Sequence, residues 1–457
     1  MNQNPSLSLS SILAFSLLLG IFASKVGAEE VDSPNIILIF VDDLGYGDLE
    51  CYGNAAIKTP NLDRMADEGQ RWTSFYASGS TCVPSRTGLM SGRHPGLLKN
   101  EPLKNDRDAL MPAMLKQAGY ATAMFGKWHL AGYPDNFANA LMHPLNCGFG
   151  IHLGTPGSND APGPPVQTRD AFDNATSETW KIPLYQGREL LEHPADQSLF
   201  TKRYTEHAVE FINSAAEKEN PFFLYLAHNM PHVPIFPSGK FVGLSEGGVY
   251  GDVVHEIDWS VGEVMQAVAQ AGIDEETLIV FTSDNGPWTV FGPRHAGTAK
   301  PLRGEKSTSW EGGFRVPGIF RWPGKIAPAE IDDMAANLDL YATFAQLAGI
   351  TELPKNKPGW MSIDLTPTLL EGKPSPRKQW LFGRDAFRSG AYKIHLSTRH
   401  PTDPETRKRR PAIKHETPLL FHLTEDIGES NNVADAHPEI VTRLLKEMNL
   451  MKKVGQD

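Results

Sequence analysis

The chain has 457 residues, 40% apolar and 21% charged, the balance of a globular protein too long for one small core. With 43 basic against 54 acidic residues its formal charge is −11, which argues against a nucleic-acid partner but leaves room for an anionic substrate in a locally basic pocket. Three cysteines, Cys51, Cys82 and Cys147, exclude a disulfide-built scaffold; a Cys51–Cys147 bridge stays open, and Cys82, by its surroundings, is the odd one out.

From the N-terminus, Ile12–Ala23 is apolar but too short to span a bilayer, and Val26-Gly27-Ala28 offers a small-residue cleavage site before Glu29-Glu30. Residues 1–28 therefore read as a signal peptide, although no Lys or Arg precedes the apolar run, and the mature protein is expected to be secreted or periplasmic. No later segment predicts a membrane span. Asn35–Val41 (NIILIFV) is a near-continuous apolar run of strand length, as expected of a strand buried on both faces. Asn61–Glu68 predicts a short helix with Asn61 as its N-cap and Gly69 past its end. Next come a helix over Ala109–Gln117, a strand over Tyr120–Phe125, an amphipathic helix over Phe200–Glu217, a strand over Phe222–Ala227, a helix over Val253–Ala271 and a strand over Leu278–Thr282. This alternation predicts an α/β fold with a large, mostly parallel central sheet flanked by helices. Between Cys147 and Arg188 the composition shifts to Gly, Pro, Asn and Asp and predicts long loops. Beyond about residue 360, strands over Trp380–Gly383, Tyr392–Leu396 and Leu419–Leu423 and a helix over Pro438–Met451 predict a small α+β subdomain with a short antiparallel sheet. The expected division is 29–360 for the main domain and 361–457 for the subdomain.

Open α/β sheets bind ligands at the carboxyl ends of their strands, and four predicted strands run straight into polar residues there. They deliver Asp42-Asp43, Lys127 and His129, His228 and His232, and Asp284-Asn285. Any one of these can be a turn or a cap; together they predict a site. Asp42, Asp43, Asp284 and Asn285 offer only oxygen donors, which suits Ca²⁺ or Mg²⁺ and not zinc. Three carboxylates repel one another without a cation, so the histidines read as acid–base groups. The stretch CVPSRTGLMSGR, Cys82–Arg93, reads as a helix start with Pro84 in its first turn. Cys82 then lies where free backbone N–H groups favour an anion, with the Arg86 guanidinium one turn on.

That stretch resembles the signature of the type I sulfatases: Cys, any residue, Pro-Ser-Arg, four residues, then Ser/Thr-Gly-Arg. The second signature, GKWHL, stands at Gly126–Leu130, and the resemblance continues through VDDLGYGDL (41–49), TPNLDRMADEG (59–69), PHVP (231–234), TSDNGP (282–287), GEKSTSWEGGFRVP (304–317) and LTEDIGESNNVA (423–434). The pattern looks most like the branch of arylsulfatase A and N-acetylgalactosamine-6-sulfatase, with a fold shared by alkaline phosphatases. The resemblance implies hydrolysis of sulfate monoesters, by default on a sulfated saccharide or an aryl sulfate. It implies that a formylglycine-generating maturation enzyme converts Cys82 to Cα-formylglycine, and that Asp42, Asp43, Asp284, Asn285 and residue 82 hold Ca²⁺. Arg86 and Lys127 would steady the hydrated aldehyde, with His129 beside them, while His232 and Lys306 would face the sulfate and its leaving oxygen. Ser158 matches a family serine near the sulfate; His228 has no counterpart and reads as structural. Two other readings stay open: a phosphodiesterase or phosphonate hydrolase of the same superfamily, and a non-catalytic binder of sulfated glycans if Cys82 is unmodified. Substrate choice would lie in loops around 94–108, 133–190 and 286–302. The basic run Arg407-Lys408-Arg409-Arg410, with Lys414, is either a solvated loop or a contact for a polyanionic glycan, and Asn174-Ala175-Thr176 is a glycosylation sequon.

Overall fold

The computed structural model describes residues 33–98, 103–131, 136–403 and 410–454. Residues 1–28, expected as a signal peptide, and Arg407–Arg409 lie outside them. A 10-stranded sheet is built from β1 (Asn35–Val41), β2 (Gln70–Tyr76), β3 (Ala121–Lys127), β4 (Ile151–Thr155), β5 (Leu184–Gln186), β6 (Glu189–Glu192), β7 (Phe222–Ala227), β8 (Thr277–Ser283), β9 (Gly318–Arg321) and β10 (Ala329–Ala336). Its order is β10-β2-β9-β8-β1-β7-β3-β4-β5-β6. The centre, β8-β1-β7-β3-β4, is parallel throughout. Antiparallel pairs occur toward both edges, at β8–β9 and β9–β2 on one side and at β4–β5 and β5–β6 on the other. A separate 4-stranded antiparallel sheet holds β11 (Gln379–Phe382), β12 (Ala386–Ser389), β13 (Tyr392–Thr398) and β14 (Ile413–His422).

The helices are α1 (Pro60–Asp67), α2 (Cys82–Ser91), α3 (Met111–Gln117), α4 (Arg169–Asp173), α5 (Phe200–Ala216), α6 (Gly248–Gln270), α7 (Glu311–Phe314), α8 (Asp339–Leu347), α9 (Thr366–Glu371) and α10 (Pro438–Val454). No helix among the described residues is long and apolar enough to cross a membrane. Strand β1 shows why the sheet is central. Ile37, Ile39 and Val41 pack into one hydrophobic cluster with α1, α5 and α6, while Ile36, Leu38 and Phe40 pack into a second with α2, α3 and α8. All six are fully buried, and each such side chain contributes roughly 1.5–3 kcal/mol on leaving water.

Several elements differ from the sequence expectation. Helix α1 is capped at Thr59, not Asn61; the Asp258 carboxylate on α6 accepts the N–H groups of Asn61 and Leu62 at 3.0 and 2.8 Å, doing the cap's work from a distant part of the chain. The stretch read as loops, 147–188, contains β4, α4 and β5. Helix α6 begins at Gly248, before the predicted Val253, and β14 starts at Ile413, before Leu419. Cys51 and Cys147 are both free thiols packed against opposite faces of the sheet, so no bridge joins them.

Candidate active site at the strand ends

Strands β8, β1, β7 and β3 are neighbours, so their carboxyl ends open on one place. Chain direction alone brings together Asp284-Asn285 after β8, Asp42-Asp43 after β1, His232 after β7 and Lys127 at the end of β3. Local geometry then turns the side chains inward. Asp43 adopts a left-handed backbone (φ 64°), as do His129 (57°) and Ser307 (72°), a conformation that costs a non-glycine residue energy and gathers at working sites. The backbone N–H of Asp43 donates to Asp284 Oδ1 at 3.1 Å, fastening the two turns together. At Gly126 (φ 119°) any Cβ would stand 1.8 Å from the Ala227 carbonyl oxygen, so only glycine lets β3 reach this edge against β7. Helix α2 begins at Cys82, as expected, so the thiol sits at its first turn.

The expected residues assemble as one buried cluster. The Arg86 guanidinium donates through Nε to Asp284 Oδ2 (3.1 Å) and through Nη1 to the Lys127 carbonyl (2.8 Å) and the Tyr225 hydroxyl (3.2 Å). Lys127 Nζ pairs with Asp42 and donates to Ser158 Oγ at 3.2 Å, which in turn lies 3.2 Å from His232 Nε2. Lys306 Nζ pairs with Asp43 at 2.7 Å and reaches Cys82 Sγ at 3.4 Å. His232 Nδ1 lies 2.6 Å from the Val233 carbonyl, which can only accept, so Nδ1 carries the proton and Nε2 faces the site as a lone pair. His129 lines a cavity of about 380 Å³ that opens on Cys82, with Trp288, Lys306, Ser307 and Thr402. Larger cavities lie elsewhere, beside Tyr250 and beside α10, but neither touches this cluster. His228 is the outsider: it is buried against Ser260 Oγ at 3.2 Å, away from the charges.

Electrostatics set the protonation pattern. Burial works to raise the Asp42 pKa, but Lys127, Arg86 and Lys306 together hold it well below the usual range. Burial raises Asp43 despite Lys306, and burial with the neighbouring Asp42 charge raises Asp284 to about 7 despite Arg86. Burial, and then Lys127 and Arg86, push His129 well below its ordinary value; burial and then Lys306 do the same to His232. Burial also raises the Cys82 thiol, which is protonated and inert as a nucleophile in this form.

The residues fit a hard divalent cation. Adjacent carboxyls that cannot all ionise cheaply ask for one, and two buried acceptors, Asp42 Oδ1 and Asn285 Oδ1, have no hydrogen-bond partner. Among the described His, Cys, Asp and Glu side chains, Asp42, Asp43, Cys82 and His232 bring donor atoms within 4.8 Å of one another. This group shares three members with the expected ligand set and has His232 where that set has Asp284 and Asn285. Oxygen donors and the two orphaned acceptors favour the expected set, because His232 Nε2 already faces Ser158. Sequence reasoning did not single out Tyr225 or Thr402, the first inside an apolar strand and the second on a loop that no motif marks; Trp288 lies in the 286–302 loop expected to govern substrate choice, though the residue itself was not picked out.

This geometry agrees with relationships to known proteins. Residues 34–350 match the family model for sulfatases. Arylsulfatase A of Bos taurus is 38% identical over 465 residues, covering 94% of this chain and 90% of its own. N-acetylgalactosamine-6-sulfatase of Rattus norvegicus is 33% identical over 466 residues, covering 92% and 85%. The crystal structure of PsFucS1 sulfatase from Pseudoalteromonas sp. superposes with a TM-score of 0.78 at 27% identity, covering 92% of this chain and 90% of that one. The chain belongs to the sulfatase family and is a sulfuric ester hydrolase.

Proposed function

We propose that this sulfatase removes sulfate from a sulfated carbohydrate outside the cytoplasm, after loss of residues 1–28. A separate maturation enzyme oxidises Cys82 to formylglycine, and calcium is held by Asp42, Asp43, Asp284, Asn285 and the modified residue 82. The observation that carries the reading is the convergence of Cys82, orphaned oxygen donors and three buried cations at one sheet edge. In this reading 29–360 is the catalytic domain, and 361–457 is a subdomain that adds Thr402 to the cavity wall.

When present, the hydrated aldehyde and the cation would supply a hydroxyl nucleophile and charge neutralisation for the sulfuryl oxygens. The thiol seen at Cys82 stands in for the hydroxyls of that hydrate. The chain's own residues do the rest. Arg86, Lys127 and Lys306 make a fixed positive lining, and charge organised in advance is usually the largest catalytic contribution. The Lys127–Ser158–His232 row offers hydrogen bonds to the sulfate oxygens. Asp284 takes the proton of the attacking hydroxyl. Lys306 and His232 neutralise the leaving oxygen; the negative charge of a bound ester works against the field of Lys306 and favours protonation at Nε2. His129, kept neutral, accepts the proton from residue 82 that lets sulfate depart. A serine at this position would lack the second hydroxyl and could not release sulfate this way.

The test is a comparison of aryl sulfate with aryl phosphate on the matured enzyme, followed by a panel of sulfated monosaccharides. The relative named for N-acetylgalactosamine 6-sulfate makes hexosamine and galactose sulfates the first to try. A kcat/KM favouring sulfate supports the reading; a preference for phosphate sinks it.

A further inference from the structure

The mouth of the cavity has a different character from its charged floor. Trp288, two residues beyond Gly286 in the stretch after β8, lines the cavity together with Val83, Pro84 and Thr402. Val83 follows Cys82 directly and, 42% exposed, presents a branched apolar side chain at the cavity wall. The maturation motif accepts any residue there, so its apolar character is not a requirement of oxidising Cys82. Thr402 arrives from the C-terminal part of the chain and is buried.

Trp288 is also held firmly. Its ring meets Phe291 edge-on with centroids 5.1 Å apart; Phe291 meets Phe172 on α4 at 4.0 Å, and Phe172 meets Trp180 at 4.6 Å. Phe172, Trp180 and Phe291 belong to the hydrophobic core of that sheet face. A second fastening ties α4 to the same stretch after β8, where His295 Nε2 lies 2.8 Å from Asp173 Oδ1. On its other side the indole meets the reacting groups, with Lys306 Nζ 4.5 Å from the ring centroid and the His232 ring at 5.5 Å. A column of aromatic rings rooted in the core thus ends beside the residues that face the leaving oxygen.

We propose that Trp288 and Val83 are the apolar walls of a leaving-group subsite, and that they select sulfate esters carried on a ring with an apolar face over acyclic alkyl sulfates. The inference rests on the sulfatase reading above. A ligand here has its sulfate among the cations on the floor and its ring between the indole and the Val83–Pro84 corner. Aromatic rings and pyranoses share the required feature, a flat or nearly flat face of carbon and hydrogen. The cavity volume lies near the low end of ligand pockets, about 300–1,000 Å³, room for one ring on the charged floor. Because the aromatic column fixes the indole before the ligand arrives, little ordering cost falls on binding.

The test measures kcat and KM of the matured enzyme and of Trp288→Ala, Trp288→Phe and Val83→Ser on 4-nitrophenyl sulfate, N-acetylgalactosamine 6-sulfate and ethyl sulfate. Trp288→Ala is expected to lose about tenfold in kcat/KM on both ring esters, chiefly through KM, with less than about a twofold change on ethyl sulfate. Trp288→Phe is expected to recover most of that loss, and Val83→Ser to lose about threefold on the ring esters alone. A loss confined to one of the two ring esters identifies that ring type as the one selected. An equal loss on all three esters would overturn the proposal, since Trp288 would then act only through Lys306; so would no loss on either ring ester. If the wild-type enzyme turns over none of the three, the sulfatase reading is what has failed. In that case saturation-transfer NMR of N-acetylgalactosamine still judges the subsite: a ring contact abolished by Trp288→Ala upholds it, and no contact with the wild type rejects it.

Discussion

The carboxylates of Glu311 and Glu429 are as deeply buried as those of Asp42 and Asp43, but the two groups are satisfied differently. Glu311 receives Lys393 at 2.9 Å on Oε1 and the Tyr76 hydroxyl at 2.7 Å on Oε2. Glu429 receives Lys393 at 3.1 Å and His395 at 2.7 Å on Oε1, and the Glu311 N–H at 2.7 Å on Oε2. Every carboxylate oxygen there has a partner inside the chain, and the network fastens β13 of the small sheet to α7 and β2 of the large part. At the strand ends, by contrast, Asp42 Oδ1 and Asn285 Oδ1 accept no hydrogen bond, Arg86 Nη2 coming no nearer than 4.0 Å to Asp42 Oδ1, and a cavity opens at Cys82. Buried charge that is saturated internally serves the fold; buried charge with acceptors left over is reserved for a ligand.

Substitutions should separate the two. The largest effect is expected from Cys82→Ser, with turnover lost by about a thousandfold or more while the melting temperature stays within about 2 °C, because the site adds chemistry and little stability. Normal multiple turnover by that variant would contradict the role given to residue 82. Lys393→Met should do the opposite. It strands two buried carboxylates, at a cost of about 3–5 kcal/mol in denaturant unfolding, yet leaves kcat per folded molecule near wild type. A fall in kcat at unchanged stability would erase the contrast.

Asn285→Ala is a finer probe. It should cost about a hundredfold in kcat and abolish the rise in melting temperature expected of the wild type on adding calcium, while in chelator it loses only the Nδ2 hydrogen bonds to Asp43 Oδ1 (2.6 Å) and the Gly286 carbonyl (2.9 Å), about 1–3 kcal/mol. Calorimetric titration showing unchanged calcium binding would remove Asn285 from the ligand set. The smallest effect is in pH. Although burial works to raise it, Lys393, Arg315, Arg388 and the Tyr76 hydroxyl bring the Glu311 pKa down from 4.5 to about 2. A depressed carboxyl stabilises the fold above its unfolded pKa, and that contribution is lost as pH falls from 4.5 toward 2. Glu311→Gln should therefore flatten the wild-type decline in stability across that window; an unchanged acid slope would assign the decline to other groups.

These two clusters also differ in how far the sequence announces them. Asp42-Asp43, Lys127, His232 and Asp284 follow strands buried on both faces, which write themselves as unbroken apolar runs, so the runs locate the sheet edge and the edge locates the site. Strands β2 (QRWTSFY) and β10 (AEIDDMAA) carry polar residues because they lie toward an edge, and neither reads as a strand. Glu311, Lys393 and Glu429 meet only in three dimensions, and nothing in their spacing predicts it. Thr59 in place of Asn61 at the start of α1 has the same origin: the partner, Asp258, is remote in sequence. The aromatic column behind Trp288 is hidden likewise, since its rings sit in glycine- and proline-rich stretches that resemble plain loops.

The claim on which the rest depends is that residue 82 works as an aldehyde. Preparations matured to different extents can be assayed for aryl sulfatase activity while mass spectrometry of the residue 82 peptide gives the fraction carrying an aldehyde in place of the thiol. Activity should rise in proportion to that fraction and extrapolate to zero at none. Full activity in a preparation whose residue 82 is entirely cysteine would contradict the account.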